Sequence, residues 1–427
     1  MRTDHLNVHL KRRTLLAGMA GAGALIGTGG AGLFSGTAGA STTAPSGRRL
    51  RGGSAVDPGG FDDSFDHNGA LDGTWAAESA DRYGSDDQLG TLNEVTPEKT
   101  AQALSLLAGA SAVGTYRMGH MMRNGVPGYV TFPPRKYNQR LRAQGYTPDR
   151  IDEFFTTATR GNEGEDEWRL ADRDHGPLGY YDPSGAIGPN QVSAHEERFP
   201  EGGTYQIATQ FDNLNHVGVG NVFYNGFKGS DIATAVGTTS LGMDKVSPFV
   251  TRGVLLDVLG WKQATSGSGV QEIGGNPMLE DSYRITLEDI LDTMAWEGLD
   301  GIEAGDVVVF RTGWWKLAED PSTYDHYLAT EPGIYMREAS YLAEHRPTLV
   351  ASDSWALEVL GHPDVAWAFP VHQTLLTQWG IRIGEGVISD GLSEAKAYEF
   401  VYSYSPQWAD GATAGNVPPM GLAPAAD

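Results

Sequence analysis

The feature that most constrains the fold of this chain is an alternation of short apolar runs and helical patterns after residue 204. Short β-branched or apolar runs bounded by turn residues predict strands at residues 204–208, 250–258, 306–310 and 348–352. Helical periodicity follows or separates them at residues 287–296, 335–345, 373–379 and 393–404. Strands that alternate with helices favour an α/β domain with mixed sheet pairing.

The amino-terminal segment has the composition of a targeting signal. Lys11, Arg12 and Arg13 precede a weakly apolar stretch rich in glycine and alanine, and Ala38-Gly39-Ala40 offers a small-x-small cleavage site. This pattern predicts a twin-arginine signal peptide over residues 1–40, and therefore export to the cell envelope or the medium. An unprocessed helical anchor is the alternative, which the many glycines disfavour.

The remaining chain divides into a predicted linker and one large domain. Residues 41–74 are rich in Ser, Thr, Pro, Gly and Asp without periodicity and predict a flexible linker. Residues 75–427 predict a single catalytic domain that includes a helix over residues 97–110, with Ala101, Leu104 and Leu107 on its apolar face. The polar segment 135–200 has no sustained period and is interpreted as a long excursion over the pocket.

Charge and cysteine content exclude several classes of protein. The net charge of −23 disfavours nucleic acid and anionic membranes as partners. It says little about a small-molecule substrate, which is the expected partner. No apolar run long enough to span a membrane follows the first 40 residues, so the mature form is expected to be free of the membrane. The chain has no cysteine, so any metal must be bound by His, Asp, Glu or amide oxygens.

Two of the 11 histidines stand where chemistry is expected. The predicted strand 204–208 would place Asp212 and His216 near its end, where they could share a divalent ion, or where the imidazole could act as a base. A structural Asp–His hydrogen bond is the alternative. His372 precedes Glu385 by a predicted helix and a short strand, which could return the carboxylate to the imidazole; a capping or surface histidine is the alternative.

A series of motifs, in order along the chain, resembles one branch of the cyclase family, which includes kynurenine formamidases and isatin hydrolases. The resemblance begins at residues 86–93 (DDQLGTLN) and continues through 209–216 (TQFDNLNH), 251–257 (TRGVLLD), 305–314 (GDVVVFRTGW) and the segment from His372 to Glu385. It extends from about residue 83 to about residue 420. Further matches are residues 224–226, 332–334, 353–355 with Glu358, and 411–413.

The resemblance implies a swivelling β/β/α fold and a metal centre. The family motif is His-x-Gly-Thr-His-x-Asp-x-Pro-x-His, so Asp212 would be a metal ligand with a catalytic role and His216 the general acid and base. His372 and Glu385 match a further pair that binds metal in two-metal members.

This chain departs from the family motif at several positions. Gln206 and Gln210 occupy the places of the first two histidines, Ala208 that of the glycine and Leu214 that of the proline. An amide oxygen is a harder ligand than imidazole, so a site that uses it would favour manganese or magnesium over zinc. The two glutamines are metal ligands in one interpretation and supporting residues in the other; the site could also have moved onto the remaining four residues or been lost.

The sequence thus predicts a metal-dependent hydrolase, similar to arylformamidases, that acts on a C–N or lactone bond of a small cyclic or aromatic substrate. Manganese or zinc is the expected ion, with magnesium as a further option, and a homodimer is an open assembly state. Two alternatives remain: a cyclase or lyase on the same scaffold, and an exported binding protein without metal. A Gly-x-Ser-x-Gly elbow, a Walker loop and a dinucleotide fingerprint are all absent from the sequence.

Overall fold

The computed structural model describes the domain that carries the predicted site. The described residues are 57–128, 135–137, 140–143, 195–198, 204–234, 237–364, 367 and 369–425. The predicted signal peptide, the first part of the predicted linker and most of the polar segment 135–200 lie outside them. Among the described residues, no helix is both long and apolar enough to cross a membrane.

Short strands account for most of the regular structure at the centre of the domain. In chain order they are β1 (Val113–Arg117), β2 (Arg140–Ala143), β3 (His195–Arg198), β4 (Gln210–Asp212), β5 (Ala233–Thr234), β6 (Gly237–Thr238), β7 (Phe249–Leu256), β8 (Val270–Ile273), β9 (Asn276–Leu279), β10 (Val307–Phe310), β11 (Leu349–Ser352), β12 (Arg382–Glu385), β13 (Glu399–Tyr404), β14 (Ala414–Gly415) and β15 (Met420–Pro424).

Nine of these strands form one mixed sheet, which confirms the predicted α/β class. Strands β7, β10, β11 and β12 are parallel neighbours in that order. Antiparallel strands extend the sheet on both sides: β13, β15 and β1 beyond β7, and β4 and β14 beyond β12. The other strands form two-stranded pairs, β2 with β3, β5 with β6 and β8 with β9.

The parallel strands are buried on both faces, which explains their nearly continuous apolar sequences. Along β10, Val308 and Phe310 pack into the apolar cluster on one face of the sheet. Val307 and Val309 pack into the cluster on the opposite face. Because successive side chains point to opposite sides of a strand, this short segment contributes to two cores.

Helices and single helical turns connect the strands. The helices are α1 (Asn68–Leu71), α2 (Thr74–Tyr83), α3 (Pro97–Ser105), α4 (Gly229–Ile232), α5 (Val258–Ala264), α6 (Leu287–Glu297), α7 (Tyr324–Ala329), α8 (Met336–Glu344), α9 (Pro370–His372), which continues into a π-helix (Gln373–Trp379), and α10 (Asp390–Glu394). 3₁₀ turns lie at Pro58–Gly60, Gly90–Glu94, Tyr224–Gly226, Met243–Lys245, Trp314–Glu319 and Pro321–Thr323. Thr286 and Asp289 form a capping box at the start of α6.

Two predicted elements are wrong. The strand expected at residues 204–208 is instead β4, which begins at Gln210, because Ala208 adopts a left-handed conformation with φ 58° that a strand does not allow. Residues 399–404 are not helical but form β13, which pairs with β7. The aromatic residues Phe400, Tyr402 and Tyr404 recur there at the period of a strand and are buried.

The helix predicted after Thr96 is confirmed over Pro97–Ser105, but it ends five residues before the predicted residue 110 and its buried face is not the expected one. Thr96 caps the helix by accepting a hydrogen bond from Lys99 N. Ala101 and Leu104 are exposed, whereas Lys99 and Ala103 are buried, because the lysine pairs with Asp306 at 2.7 Å. The apolar positions of this short helix therefore predicted the wrong buried face.

Regular structure also begins before the boundary predicted at residue 75. Residues 68–71 form α1, and Phe61 and Phe65 pack against the large apolar cluster on one face of the sheet. Phe61 lies edge-on to Tyr341, with ring centroids 5.7 Å apart. The described part of the predicted linker is thus part of the domain.

Candidate metal centre

The pairing of β4 with β12 brings together motifs that are far apart in the chain. In this antiparallel pair Gln210 lies opposite Glu385, and Asp212 lies opposite Ile383. His372 is supplied by α9, and the chain returns from it through the π-helix and Gly380 to β12. Gly380 adopts a positive φ of 67° at this turn, a conformation that glycine tolerates without strain.

Asp212, His372 and Glu385 form one buried cluster whose ligand atoms lie within 4.8 Å of one another. His372 Nε2 lies 3.3 Å from Glu385 Oε1 and 4.0 Å from Asp212 Oδ2. Asp212 is completely shielded from solvent, and His372 and Glu385 are nearly so. Sequence reasoning predicted all three as ligands, and the structure places them together.

The two glutamines border this cluster but differ in their hydrogen bonds. The amide nitrogen of Gln210 donates to the carboxylate of Glu385 and, at 3.0 Å, to Gln206 Oε1. Gln206 in turn donates to Thr413 Oγ1 at 3.3 Å. The oxygen of Gln206 is therefore already bonded, whereas the buried oxygen of Gln210 has no hydrogen-bond partner in the described part of the chain.

His216 lies beside the cluster without belonging to it. Its ring is half-buried and lies edge-on to His372, with centroids 6.4 Å apart. Burial, and to a smaller extent the neighbouring His372, hold the pKa of His216 well below its ordinary value. The imidazole therefore stands next to the cluster in a form that can accept a proton.

Glu358 fixes the orientation of His372, a function that the sequence did not reveal. Glu358 Oε1 lies 2.6 Å from His372 Nδ1 and also accepts the backbone N–H of His372 at 3.1 Å. Nε2 is thereby turned toward Asp212 and Glu385. The signal available in the sequence was the place of Glu358 among the family landmarks, but its partner becomes visible only in three dimensions.

The charges of the cluster are strongly coupled. Burial, followed by the neighbouring carboxylate of Glu385, raises the pKa of Asp212 well above its ordinary value. Burial alone would lower the pKa of His372, but hydrogen bonds to Glu358 and Glu385 outweigh this effect and raise it to about 10. A divalent cation would reverse both directions, because it favours ionised carboxylates and a neutral imidazole.

The donors present fit a divalent cation. Both carboxylate oxygens of Asp212 are buried and have no partner at hydrogen-bond distance among the described residues, although the side chain of Gln206 is near enough to partly offset the rise in the pKa of Asp212. A buried carboxylate without a partner is costly, and a metal ion is one of the few groups that would compensate it. Together with Glu385 and His372, Asp212 gives two carboxylates and one imidazole, a donor set that can hold a divalent cation.

Comparison with known proteins relates this site to one family. Residues 181–359 match the Cyclase family model, which is described as "Putative cyclase". This range includes Asp212 and His216 and ends before His372. A search of curated proteins found no relative of the chain.

Several solved structures are similar to the chain to different degrees. The crystal structure of a novel cyclase is 25% identical in sequence, with a TM-score of 0.59, over 80% of this chain and 95% of its own. Isatin hydrolase A from Labrenzia aggregata, bound to benzyl benzoate, is 16% identical over 76% of this chain and 98% of its own, with a TM-score of 0.47. Isatin hydrolase A from Ralstonia solanacearum is 14% identical over 76% and 96%, with a TM-score of 0.48. Residues 181–359 thus match the Cyclase family model, and the fold is similar to that of a solved cyclase.

Proposed function

We propose that this protein is a metal-dependent hydrolase that opens a C–N bond, as in an amide, N-formyl amide or lactam, or a lactone bond, of a small cyclic or aromatic substrate. The observation that carries the proposal is the buried carboxylate of Asp212, which has no hydrogen-bond donor among the described residues and lies within 4.8 Å of His372 and Glu385. An arylformamidase-like reaction is the form that the family resemblance favours.

The residues of the cluster and their neighbours would have different roles in such a reaction. Asp212, His372, Glu385 and the oxygen of Gln210 would hold a divalent ion, most naturally manganese, with zinc and magnesium as alternatives. When bound, such an ion polarises a carbonyl group and lowers the pKa of a water molecule. Glu358 orients His372 through a hydrogen bond to Nδ1, and Gln206 orients Gln210 by accepting a hydrogen bond from its amide nitrogen.

His216 is the residue available for proton transfer. Its half-buried ring stands beside His372, and in the proposed reaction it accepts a proton from the attacking water and returns it to the leaving nitrogen or oxygen. The reaction needs no nucleophilic side chain, which agrees with a chain that has no cysteine.

Two measurements test this function. Metal analysis of the purified protein should find a divalent ion that the Asp212→Asn variant loses. Turnover of N-formyl, lactam and lactone substrates in H₂¹⁸O should place one solvent oxygen in the product. Turnover that continues in a metal-free protein, or a product without ¹⁸O, would contradict a metal-dependent hydrolase; the second result would favour the cyclase or lyase alternative.

We also propose that the chain reaches its site of action by twin-arginine export and that its mature form acts on a small molecule. The support is the segment around Arg12 and Arg13 and the strongly negative charge of the chain. Replacing both arginines by lysine should retain the full-length protein in the cytosol; continued export of the variant would refute this route.

A further inference from the structure

Residues 61–67, here called the amino-terminal clasp, are attached to the domain by apolar and by charged contacts. Phe61 and Phe65 are partly buried against the large apolar cluster on one face of the sheet. Between them, the two carboxylate oxygens of Asp63 each accept a hydrogen bond of 2.7 Å from Arg284. Asp63 Oδ1 also accepts a backbone N–H from the first turn of α8 at 3.2 Å. A segment that served only as a flexible linker would need none of these contacts.

The clasp also contacts Trp367, which precedes His372 of the metal centre by five residues. The ring of Phe65 lies edge-on to the Trp367 ring, with centroids 5.9 Å apart. The ring of His67 lies 5.6 Å from the same side chain. Trp367 is 47% exposed, so about half of its surface is covered, and the ring contacts that the described residues provide come from the clasp.

Phe369 lies between Trp367 and His372 and has an unfavourable backbone conformation. Its φ of 53° and ψ of 44° place it in the left-handed region, which is sterically disfavoured for a bulky residue. Its ring lies edge-on to the ring of His372, with centroids 5.3 Å apart. Pro370 follows at once and begins α9. A residue keeps such a conformation only where the surrounding structure holds the chain on both sides of it.

The contacts on the two sides of Phe369 come from different parts of the chain. On the carboxyl side, Glu358 accepts the backbone N–H groups of Val371 at 3.3 Å and His372 at 3.1 Å, which fixes the start of α9. On the amino side, the described ring contacts are those between Trp367 and the clasp. Release of Trp367 would therefore allow Phe369 to leave the left-handed region and would move its ring away from His372.

We propose that the clasp is a positioning device for the metal centre: through Trp367 and Phe369 it holds the imidazole of His372 where Nε2 faces the two carboxylates of the cluster. This inference rests on the proposed function, because it gives residues 61–67 a part in metal binding. A detached clasp would leave all three residues of the cluster present but less well oriented. Affinity for the ion should then fall while the domain stays folded.

Manganese binding to the full chain tests the proposal, with a second exposed tryptophan as the matched control. Trp367→Leu should raise the Mn²⁺ dissociation constant about threefold to tenfold, the effect of losing an aromatic contact. Trp367→Phe, which keeps an aromatic ring, should retain most of the affinity. Trp296 is 40% exposed and lies 5.6 Å from the ring of Tyr398, which belongs to neither the clasp nor the cluster. Trp296→Leu should bind Mn²⁺ within about twofold of the wild type.

A double variant tests whether the clasp acts through Trp367. Phe65→Leu removes the other side of the same contact, so its combination with Trp367→Leu should weaken Mn²⁺ binding little more than the stronger of the two single changes. An unchanged dissociation constant in Trp367→Leu, an equal weakening in Trp296→Leu, or fully additive effects in the double variant would each overturn the proposal.

Hydrogen exchange in the metal-free protein separates this inference from the proposed function. The N–H groups of Val371 and His372, which donate to Glu358, should exchange about threefold or more faster in Trp367→Leu than in the wild type, and at the wild-type rate in Trp296→Leu. Unchanged exchange in Trp367→Leu would overturn the inference. A wild type that binds no Mn²⁺ would contradict the metal-dependent function, whereas faster exchange in its Trp367→Leu variant would still support the positioning of His372 by the clasp.

Discussion

Asp212 differs from the buried carboxylates that support the fold, because both of its oxygens lack a hydrogen-bond partner among the described residues. Asp353 is as deeply buried as Asp212, yet it accepts hydrogen bonds from Thr312 N at 2.9 Å and Gly313 N at 2.8 Å. Asp212 has no comparable donor among the described residues. The carboxylate of Asp212 is therefore available to bind a cation, whereas that of Asp353 stabilises the turn at Thr312 and Gly313 through its hydrogen bonds.

His216→Ala should abolish turnover and leave both metal content and stability close to those of the wild type. The reason is that His216 is half-buried and does not belong to the cluster of Asp212, His372 and Glu385. Steady-state kinetics, metal analysis and thermal unfolding of the same preparation test this. A variant that lost its metal would instead make His216 a ligand, and undiminished activity would remove it from the reaction.

Replacing each glutamine by the histidine of the family motif should show which of Gln206 and Gln210 binds the metal ion and which only supports the site. Gln210→His is expected to tighten zinc binding relative to manganese by an order of magnitude, roughly the 1.4 kcal/mol of a modestly better ligand. Gln206→His is expected to have no such effect, because the oxygen of Gln206 accepts from Gln210. Competition titrations with Mn²⁺ and Zn²⁺ decide this. An unchanged ratio in Gln210→His would show that this glutamine is a supporting residue.

Much of the site could be predicted from sequence, because motif order alone pointed to Asp212, His372 and Glu385. The hydrogen bonds that distinguish Gln206 from Gln210 could not be predicted. They depend on the amide nitrogen of Gln210, which donates to both Gln206 and Glu385 in the folded protein. The same holds for Glu358, which lies 14 residues before His372 and reaches it only through the fold.

Local backbone conformation explains why the strand of the motif begins later than expected. Ala208 has φ 58°, which costs a residue with a Cβ about 1–2 kcal/mol, and glycine stands here in the family motif. Ala208→Gly should therefore raise the free energy of unfolding by about 0.5–1 kcal/mol. The matched control, Ala101→Gly on the exposed face of α3, should lower it by about 1 kcal/mol. Chemical denaturation of both variants tests the pair, and a loss in Ala208→Gly would show that the methyl group is needed for packing.

The end of α6 contains a carboxyl group that should make stability depend on pH. Burial raises the pKa of Glu297 to about 9, although its Oε1 accepts a hydrogen bond from Asp257 N at 2.7 Å. The folded state thus binds this proton more tightly than the unfolded state, whose pKa is about 4.5. Its contribution to stability is complete below pH 4.5 and is lost as the pH rises toward 9.

Glu297→Gln keeps the acceptor for Asp257 N and removes the titration. The variant should show a flatter dependence of unfolding free energy on pH between 5 and 9, and should exceed the wild type at pH 8 by about 1–3 kcal/mol. Urea unfolding at several pH values measures both. Parallel curves for the two proteins would show that Glu297 titrates normally in the folded state.

Elements were predictable where the apolar period was unambiguous. Strands β7, β10 and β11 and helix α6 lie within one or two residues of their predicted positions. Prediction failed for β13, because its aromatic residues follow a stretch that does begin as a helix, α10, and the helical period was continued too far. Only pairing with β7 determines that this segment is extended.

At the scale of the whole molecule, the cluster of Asp212, His372 and Glu385 lies where β4 pairs with the edge of the parallel strands. The parallel strands form a buried core of their own, and β4 joins its edge by antiparallel pairing with β12. The three residues of the cluster therefore come from two strands and one helix that are far apart in the sequence. Because the chain has no cysteine, β4 is held by its pairing with β12 and β14, by packing and by the cluster itself, without a disulfide.

Metal removal should therefore destabilise the whole domain, and the effect should depend on Asp212. An ion that binds only the folded state adds about 2.7 kcal/mol at a concentration of 100 times its dissociation constant. Chelation of wild-type protein should lower the free energy of unfolding and the melting temperature accordingly.

Asp212→Asn should show little response to chelator, because it has lost one of the proposed ligands. Its metal-free form should be at least as stable as metal-free wild type, since a buried carboxylate without a donor has been replaced by a neutral amide. Calorimetry with and without chelator measures all four states; an equal loss of stability in both proteins would place the stabilising ion away from the cluster of Asp212, His372 and Glu385.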